Sequence, residues 1–563
     1  MIKCYNILLV PATNYLNGDD IVIEMTIGQY LDYISEKYPN HDALIISGKG
    51  RYTYKDLKFM ANKLAKGLLK IGIKKGDHVA IWASNVPEWV ITLFATAKIG
   101  CPIVPVNTEY RENELQYVLK QSDAKALILI DGYKDLDYVR TIYNLIPSLQ
   151  KTDKENLHSN EFPNLKYVIN VGEKVYSGMY NFNEILMMGE QYDDDMVYEI
   201  QNSLKPDEVI DIQYTSGTTD FPKGAMLTHY GLLNNGDAIA TRMKFTENDK
   251  LCITVPLFHC FGYTLSVMAC LSKGATMVLV DHFNPVKVME AIDKEKCTAF
   301  NGVPTMFITM LNHQDFDKFD FSTLRTGIMA GSVCPKKVME AVVNKMNMRE
   351  ITSVYGLTEA SPGITQTSVD DSLEDRVSTV GYVFPGVDIK IVDPKTLKEV
   401  PIGSEGEIMA RGYNVMKGYY KMKEETEKAI EKDGWLHTGD IGKLDDSGYL
   451  KITGRLKDMI IRGGENISPT EIEECLYHHP GVKDVQIVGV PDEKYGEEIM
   501  AYIIPKEGYC IEAEDIREYA RKKLARFKVP KYVKIIDEFP KTASGKIQKY
   551  RLREMAMAEL NFS

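Results

Sequence analysis

Tyr214-Thr215-Ser216-Gly217-Thr218-Thr219-Asp220-Phe221-Pro222-Lys223-Gly224 gathers three threonines and a serine around one glycine and closes on a lysine between proline and glycine. Hydroxyls and backbone N–H groups donate to phosphoryl oxygens, glycine lets the backbone come close, and Lys223 adds a mobile positive charge. Together these suit a polyphosphate better than a single anion. The lysine precedes the closing glycine, so the G-x-x-x-x-G-K-[ST] spacing of a P-loop is absent. Taken alone, such a turn is equally an ordinary surface loop, and the sequence around it decides.

Outward from this stretch the chain keeps a βαβ rhythm. Leu57, Met60, Ala61, Leu64, Ala65, Leu68 and Leu69 recur at three- and four-residue steps, an amphipathic helix. Val79–Ala83 and Pro102–Val106 read as strands around a helix over Glu88–Ile99, and Ala126–Ile130, Leu251–Val255 and Met277–Val280 as further buried strands. From 380 to 450 the pattern turns to short strands with frequent glycines. After Lys457 a fresh α+β pattern begins, with helices over Thr470–His478 and Glu514–Leu524 and strands over Val485–Val490 and Ala501–Ile504. The fold class read from this is α/β: a large N-terminal domain of βαβ-type sheets with a β-rich subdomain (25–456), then a small, mobile α+β C-terminal domain (457–563). Residues 1–24 read as an N-terminal extension expected to be disordered.

With 563 residues the chain exceeds one typical domain. Lys+Arg 67 against Asp+Glu 79 gives a net charge of −12, which argues against a nucleic-acid binder. The basic run from Arg521 to Lys534 reads as a solvated helix face, with help in holding phosphates as the alternative. Nine cysteines without a C-x-x-C pair or zinc spacing suit reduced thiols of a cytoplasmic protein. No apolar run approaches the roughly 18 residues of a membrane span.

Four further motifs stand in order along the chain: Tyr355-Gly356-Leu357-Thr358-Glu359, Thr438-Gly439-Asp440, Gly454-Arg455-Leu456-Lys457-Asp458 and Pro540-Lys541-Thr542-Ala543-Ser544-Gly545-Lys546. With the opening stretch they resemble the AMP-forming adenylating enzymes: acyl-CoA synthetases, peptide-synthetase adenylation domains and luciferases. The resemblance covers nearly the whole chain and runs closest to the medium-chain fatty acyl-CoA synthetases. It implies ATP-dependent conversion of a carboxylic acid to acyl-AMP with release of pyrophosphate, then transfer to CoA. Substrates and cofactors would be the acid, ATP, CoA and Mg²⁺, with no nucleic acid, no transmembrane segment and room for a homodimer. The chain departs from the family at Asp220, where a glycine is usual. A carboxylate beside a polyphosphate is electrostatically costly, so loop geometry and nucleotide affinity are where the departure is expected to tell.

By that resemblance Thr215, Ser216, Gly217, Thr218, Thr219 and Lys223 cradle the β- and γ-phosphates. Tyr355 stacks on adenine beside Gly356, Thr358 meets the α-phosphate and Glu359 helps to hold Mg²⁺, a hard ion suited to carboxylate and phosphate oxygens. Asp440, an acceptor with two oxygens, suits the ribose hydroxyls, and Arg455 donates to the same sugar. Lys546 brings the attacking carboxylate and the α-phosphate together. Lys457 is the hinge between two half-reactions. The loop at Gly463 and Gly464 is the path of the pantetheine thiol.

His259, Phe261, Gly262 and Tyr263, with Val303 and with Ala330-Gly331-Ser332, resemble the acyl pocket. They are apolar and hold no carboxylate to pair with an α-ammonium group, which counts against amino-acid substrates. Gly262 and Gly331 are expected to leave space for a chain, and His259 to gate the carboxylate end. Two rival readings are an adenylating enzyme that loads a carrier protein and a non-catalytic nucleotide or acyl-ligand sensor.

Overall fold

Runs of branched aliphatic residues become parallel strands buried on both faces, which is how parallel sheets covered by helices read in sequence. In the computed structural model, which describes residues 14–16, 20–215, 222–331, 334, 336–462, 465–542 and 546–560, two such sheets carry the N-terminal part. The first has seven strands, ordered Tyr180–Asn181, Tyr167–Val171, Ala124–Ile130, His78–Trp82, Ile103–Pro105, Val209–Thr215 and Lys223–Thr228. Only the last pair is antiparallel.

The second sheet has nine strands. Its parallel centre runs Glu350–Gly356, Thr326–Ala330, Ala299–Asn301, Lys250–Ile253, Thr276–Leu279 and Asp42–Ile46, with antiparallel strands at both edges. The expected helix over 57–69 is Tyr54–Ile71, capped by a Thr53–Asp56 box and closed by Gly72 at φ 105°. It buries Leu57, Ala61, Leu64, Ala65 and Leu68, and each leucine so buried contributes about 1.5–3 kcal/mol. Helix Pro87–Lys98 and the strands on either side of it match their expected bounds within two residues.

The chain divides into two compact units: Met1–Asp388 with Ala410–Leu436, and Ile389–Met409 with His437–Ser563. The expected boundary at Lys457 falls inside the second unit. Within the N-terminal extension, Asn14–Leu16 pairs antiparallel with Asp20–Val22.

In the second unit, strands Val482–Asp492 and Gly496–Pro505 form a long hairpin, and Gly496–Pro505 also pairs antiparallel with Ile460–Arg462 at Gly496 and parallel with Tyr532–Ile535 further along, Ile460–Arg462 pairing in turn with Glu465–Ile467. Strand periodicity splits its core in two. Val485, Ile487, Ala501 and Ile503 pack with Ile472, Leu476 and Ile516 of helices Pro469–Tyr477 and Ala513–Lys523. Val488, Val490, Met500 and Tyr502 face Leu552 and Ala556 of helix Lys549–Glu559.

Candidate active site

In an open α/β sheet, ligands bind outside the carboxyl ends of parallel strands. The sequence-predicted residues of the first unit collect at such ends: Thr215 as the last residue of one strand of the first sheet, and His259, Val303, Ala330 and Tyr355 at or just beyond the ends of four strands of the second. The loop expected to cradle phosphates is the connection of an antiparallel pair in which Thr215 stands opposite Lys223, its hydroxyl 3.5 Å from the Lys223 carbonyl. Ser216, Gly217, Thr218, Thr219 and Asp220 lie outside the described residues. At the loop's far end the Tyr117 hydroxyl donates to the Pro222 carbonyl at 3.0 Å.

Lys223 Nζ lies 2.6 Å from Glu425 Oε2 and 4.9 Å from the centre of the Tyr419 ring. The bond to Lys223, with Lys428 on the other carboxylate oxygen, pulls the Glu425 carboxyl down to about 2.

Opposite this hairpin, Glu350–Gly356 turns through the short 3-10 segment Thr358–Ala360 into Gly363–Gln366. A Cβ on Gly356 would stand 1.9 Å from the Pro362 carbonyl oxygen, so the close approach of this turn requires glycine. Tyr355 is buried, and the Thr358 hydroxyl is 3.7 Å from Cys260 Sγ. Glu359 Oε1 accepts the Tyr419 hydroxyl at 2.7 Å. Burial and that carboxylate push the Tyr419 hydroxyl far up, which keeps it a donor. Among the described residues no group of three or more His, Cys, Asp or Glu side chains could hold a metal. A magnesium ion at a polyphosphate needs only one or two carboxylates beside the phosphate oxygens, and Glu359 fits that need.

The acyl-pocket segment follows strand Lys250–Ile253. His259 caps the one-turn helix Cys260–Gly262, its Nδ1 accepting the Phe261 N–H at 3.2 Å. Phe261 and Tyr263 are buried, and Tyr263 meets Trp89 edge-on at 5.8 Å. A Cβ on Gly262 would stand 2.2 Å from the Pro256 carbonyl oxygen. Its missing side chain therefore lets two backbone segments touch, and the space expected for a chain is not on that side. Val303 and Ala330 are buried at neighbouring strand ends, where the Ala330 N–H donates to the Gly302 carbonyl at 3.3 Å. Gly331 has φ 90°, a conformation that favours glycine, and Ser332 lies outside the described residues.

In the second unit, Asp440 stands opposite Arg455 in paired strands, and its Oδ1 accepts Arg455 Nε at 2.6 Å. The two residues assigned to one sugar are thus brought together. The Thr438 hydroxyl donates to the Ile408 carbonyl at 2.7 Å and accepts the Asp440 N–H at 3.1 Å, which fixes the turn through Gly439 at φ 70°. Lys457 lies in the 3-10 turn Leu456–Asp458, and Gly463 and Gly464 lie outside the described residues. Lys546 is exposed. Its backbone is pinned to Thr542 by N–H to hydroxyl at 3.1 Å and by the Thr542 N–H to its carbonyl at 2.7 Å.

Sequence reasoning missed Tyr419, Glu425 and Tyr117. Glu425 and Tyr117 stand in no motif, and for Tyr419 nothing in the spacing of the aromatic pair after Gly418 ties it to a loop about two hundred residues earlier.

The chain matches the family described as AMP-binding enzyme over residues 31–420 and the AMP-binding enzyme C-terminal domain over residues 471–546. It is 52% identical over 543 residues to the Bacillus subtilis (strain 168) protein YngI, which carries an acyl-CoA synthetase name, covering 96% of this chain and 99% of that one. It is 38% identical to the mitochondrial medium-chain acyl-CoA ligase ACSF2 of Rattus norvegicus, covering 98% of this chain and 91% of the relative. Among solved structures, ATP-bound MatB from Rhodopseudomonas palustris superposes with a TM-score of 0.80 at 27% identity, covering 94% of this chain and 99% of that one. The chain belongs to the AMP-binding enzyme family, among its acyl-CoA synthetases.

Proposed function

We propose that this enzyme, which couples a carboxylic acid to CoA through acyl-AMP at the expense of ATP, takes medium-chain fatty acids and works with Mg²⁺ in the cytoplasm. The observation that carries the reading is the convergence of Lys223 and Glu359 on Tyr419, which sets a cation and a carboxylate side by side at the carboxyl ends of two sheets. The apolar segment from Phe258 to Tyr263 and the 38% identity to a relative named a medium-chain ligase support the substrate class.

In this reading Lys223 exchanges Glu425 for the β- and γ-phosphates, Thr358 meets the α-phosphate and Tyr355 stacks on adenine. Asp440 accepts the ribose hydroxyls, with Arg455 holding its carboxylate in place. Magnesium, when bound at Glu359, offsets the charge of the phosphates. Lys546 holds the attacking carboxylate in line with the α-phosphorus, so that the new O–P bond forms as the bond to pyrophosphate breaks. The CoA thiol then attacks the acyl carbonyl and AMP leaves. Lys457 serves as the hinge between these half-reactions, and the Gly463-Gly464 loop lines the thiol's path.

The test is ATP-to-AMP turnover with Mg²⁺ across saturated acids of increasing length and benzoate, with and without CoA. A CoA-dependent maximum at medium length is expected. Turnover that ignores CoA but responds to acyl carrier protein would favour carrier loading, and nucleotide binding without pyrophosphate release would favour a sensor.

A further inference from the structure

We propose that Tyr419 is a positioning residue that locks the phosphate-loop lysine, Lys223, and the carboxylate Glu359 into one arrangement around the triphosphate. The inference rests on the roles given to those two residues above.

Residues 417–420 run alongside the strand that leaves the phosphate loop. The Lys417 N–H donates to the Met226 carbonyl at 2.9 Å, the Met226 N–H to the Gly418 carbonyl at 2.9 Å and the Tyr420 N–H to the Gly224 carbonyl at 2.8 Å. Just before this ladder, the Met416 N–H donates to the Glu359 carbonyl at 2.9 Å. Tyr419 is therefore tied by backbone to both halves of the site, and its side chain repeats the connection. Its hydroxyl is 2.7 Å from Glu359 Oε1, and its ring faces Lys223 Nζ at 4.9 Å. Its own N–H donates to the Thr426 hydroxyl at 2.8 Å, which fixes the segment bearing Glu425, the present partner of Lys223.

A lysine ammonium on a four-carbon stem and a glutamate carboxylate are each conformationally loose. Here one buried ring references both. The ring face attracts the ammonium through its quadrupole, and the hydroxyl occupies one carboxylate oxygen, leaving Oε2 for a cation. A charge pair that must clamp one polyphosphate from two sides loses most of its effect when its members are misplaced by an ångström.

Tyr419→Phe keeps the ring and its volume and deletes only the hydroxyl, so it separates the two roles. The binding of Mn²⁺ to the enzyme with a non-hydrolysable ATP analogue, followed by electron paramagnetic resonance, should weaken about five- to tenfold. The Mg²⁺ concentration needed for half-maximal pyrophosphate exchange should rise by the same factor, with the rate restored at high Mg²⁺ and the KM for the acid unchanged. Tyr419→Leu, which also removes the ring, should weaken binding of the analogue itself, and Tyr419→Phe should not. Glu359→Gln separates this inference from the reading beneath it. If Glu359→Gln weakens Mn²⁺ binding while Tyr419→Phe leaves it at the wild-type value, the positioning role of Tyr419 is overturned and the site reading stands. If neither change moves Mn²⁺ binding, Glu359 is not the metal carboxylate and the inference falls with that assignment.

Discussion

Lys223 and Glu425 stand 202 positions apart in the chain, and their side chains meet at 2.6 Å. The ion pair places a carboxylate where, on the proposed reading, Lys223 would meet a phosphoryl oxygen. On the proposed reading nucleotide binding has to displace it, so that Glu425 and ATP compete for one cation. The pair is partly exposed, 19% at the lysine and 34% at the glutamate, and pairs of that kind contribute about 0.2–1 kcal/mol. Glu425→Gln is expected to lower the KM for ATP by up to about fivefold, with kcat unchanged. A rise in the KM for ATP would show that Glu425 supports the lysine instead of competing for it.

Asp440 is buried, whereas Arg455 is 54% exposed, so its guanidinium stays solvated when the carboxylate is removed. Asp440→Ala should therefore leave the melting temperature nearly unchanged while removing the acceptor that the proposed reading gives to the ribose. Hydrogen bonds to a charged group contribute about 1.5–3 kcal/mol, which corresponds to a tenfold to hundredfold rise in the KM for ATP. An unchanged KM would take Asp440 out of the nucleotide site.

The Lys546 backbone N–H and carbonyl both bond to Thr542. Lys546→Ala should lower acyl-adenylate formation by about a hundredfold or more, as expected when reacting groups lose their alignment. Thioester formation from supplied acyl-AMP and CoA should stay within a few-fold of wild type. Equal loss of both steps would contradict the assignment of Lys546 to the first half-reaction alone.

Gly262→Ala tests whether this glycine shapes the pocket or the backbone. The added Cβ meets the Pro256 carbonyl oxygen at 2.2 Å, so the main chain must shift, at about 1–3 kcal/mol. The expected result is a lower melting temperature with the preference for acid length retained. Normal stability with a shortened preference would return Gly262 to the wall of the pocket.

His229 is fully buried, accepts the Ile27 N–H at 3.2 Å, and is pushed by burial down to about 3, with Lys75 adding to the shift. The folded chain holds the ring neutral, while the unfolded chain protonates it below about 6.5. Its contribution is therefore complete above pH 6.5 and is lost at about 1.4 kcal/mol per pH unit as pH falls from there toward 3. Denaturant unfolding between pH 7 and 5 should show this slope in the wild type and a shallower one in His229→Gln. Equal slopes would remove His229 as the cause.

Much of the fold was legible because it is written in local periodicity. The buried strands His78–Trp82 and Thr276–Leu279 and the helices Pro87–Lys98 and Ala513–Lys523 lie within two residues of where apolar runs and amphipathic steps place them. Residue types also announced chemistry: a hydroxyl-rich turn closing on Lys223, and a carboxylate at Asp440 with a guanidinium at Arg455, which the strand pairing then sets opposite each other. Tyr419 escaped this reading because a tyrosine after glycine has no distinctive spacing, and its place beside Lys223 and Glu359 comes from a ladder to residues 224–226 and a hydrogen bond to Glu359. Gly262 was misjudged for a related reason. A glycine announces missing volume, but which neighbour fills it depends on where Pro256 runs.

The sequence by itself determined the alternation of strands and helices, the order of the motifs and the kinds of group available for phosphate, ribose and carboxylate. Those properties depend on side-chain period and on chemistry within a few residues. Only the tertiary structure decided that Lys223 rests on Glu425 and Tyr419, that Tyr419 ties it to Glu359, and that His259 caps a turn. These are pairings of groups distant in the chain or of a side chain with a local backbone conformation, set by strand order and sheet packing, and no local pattern encodes them.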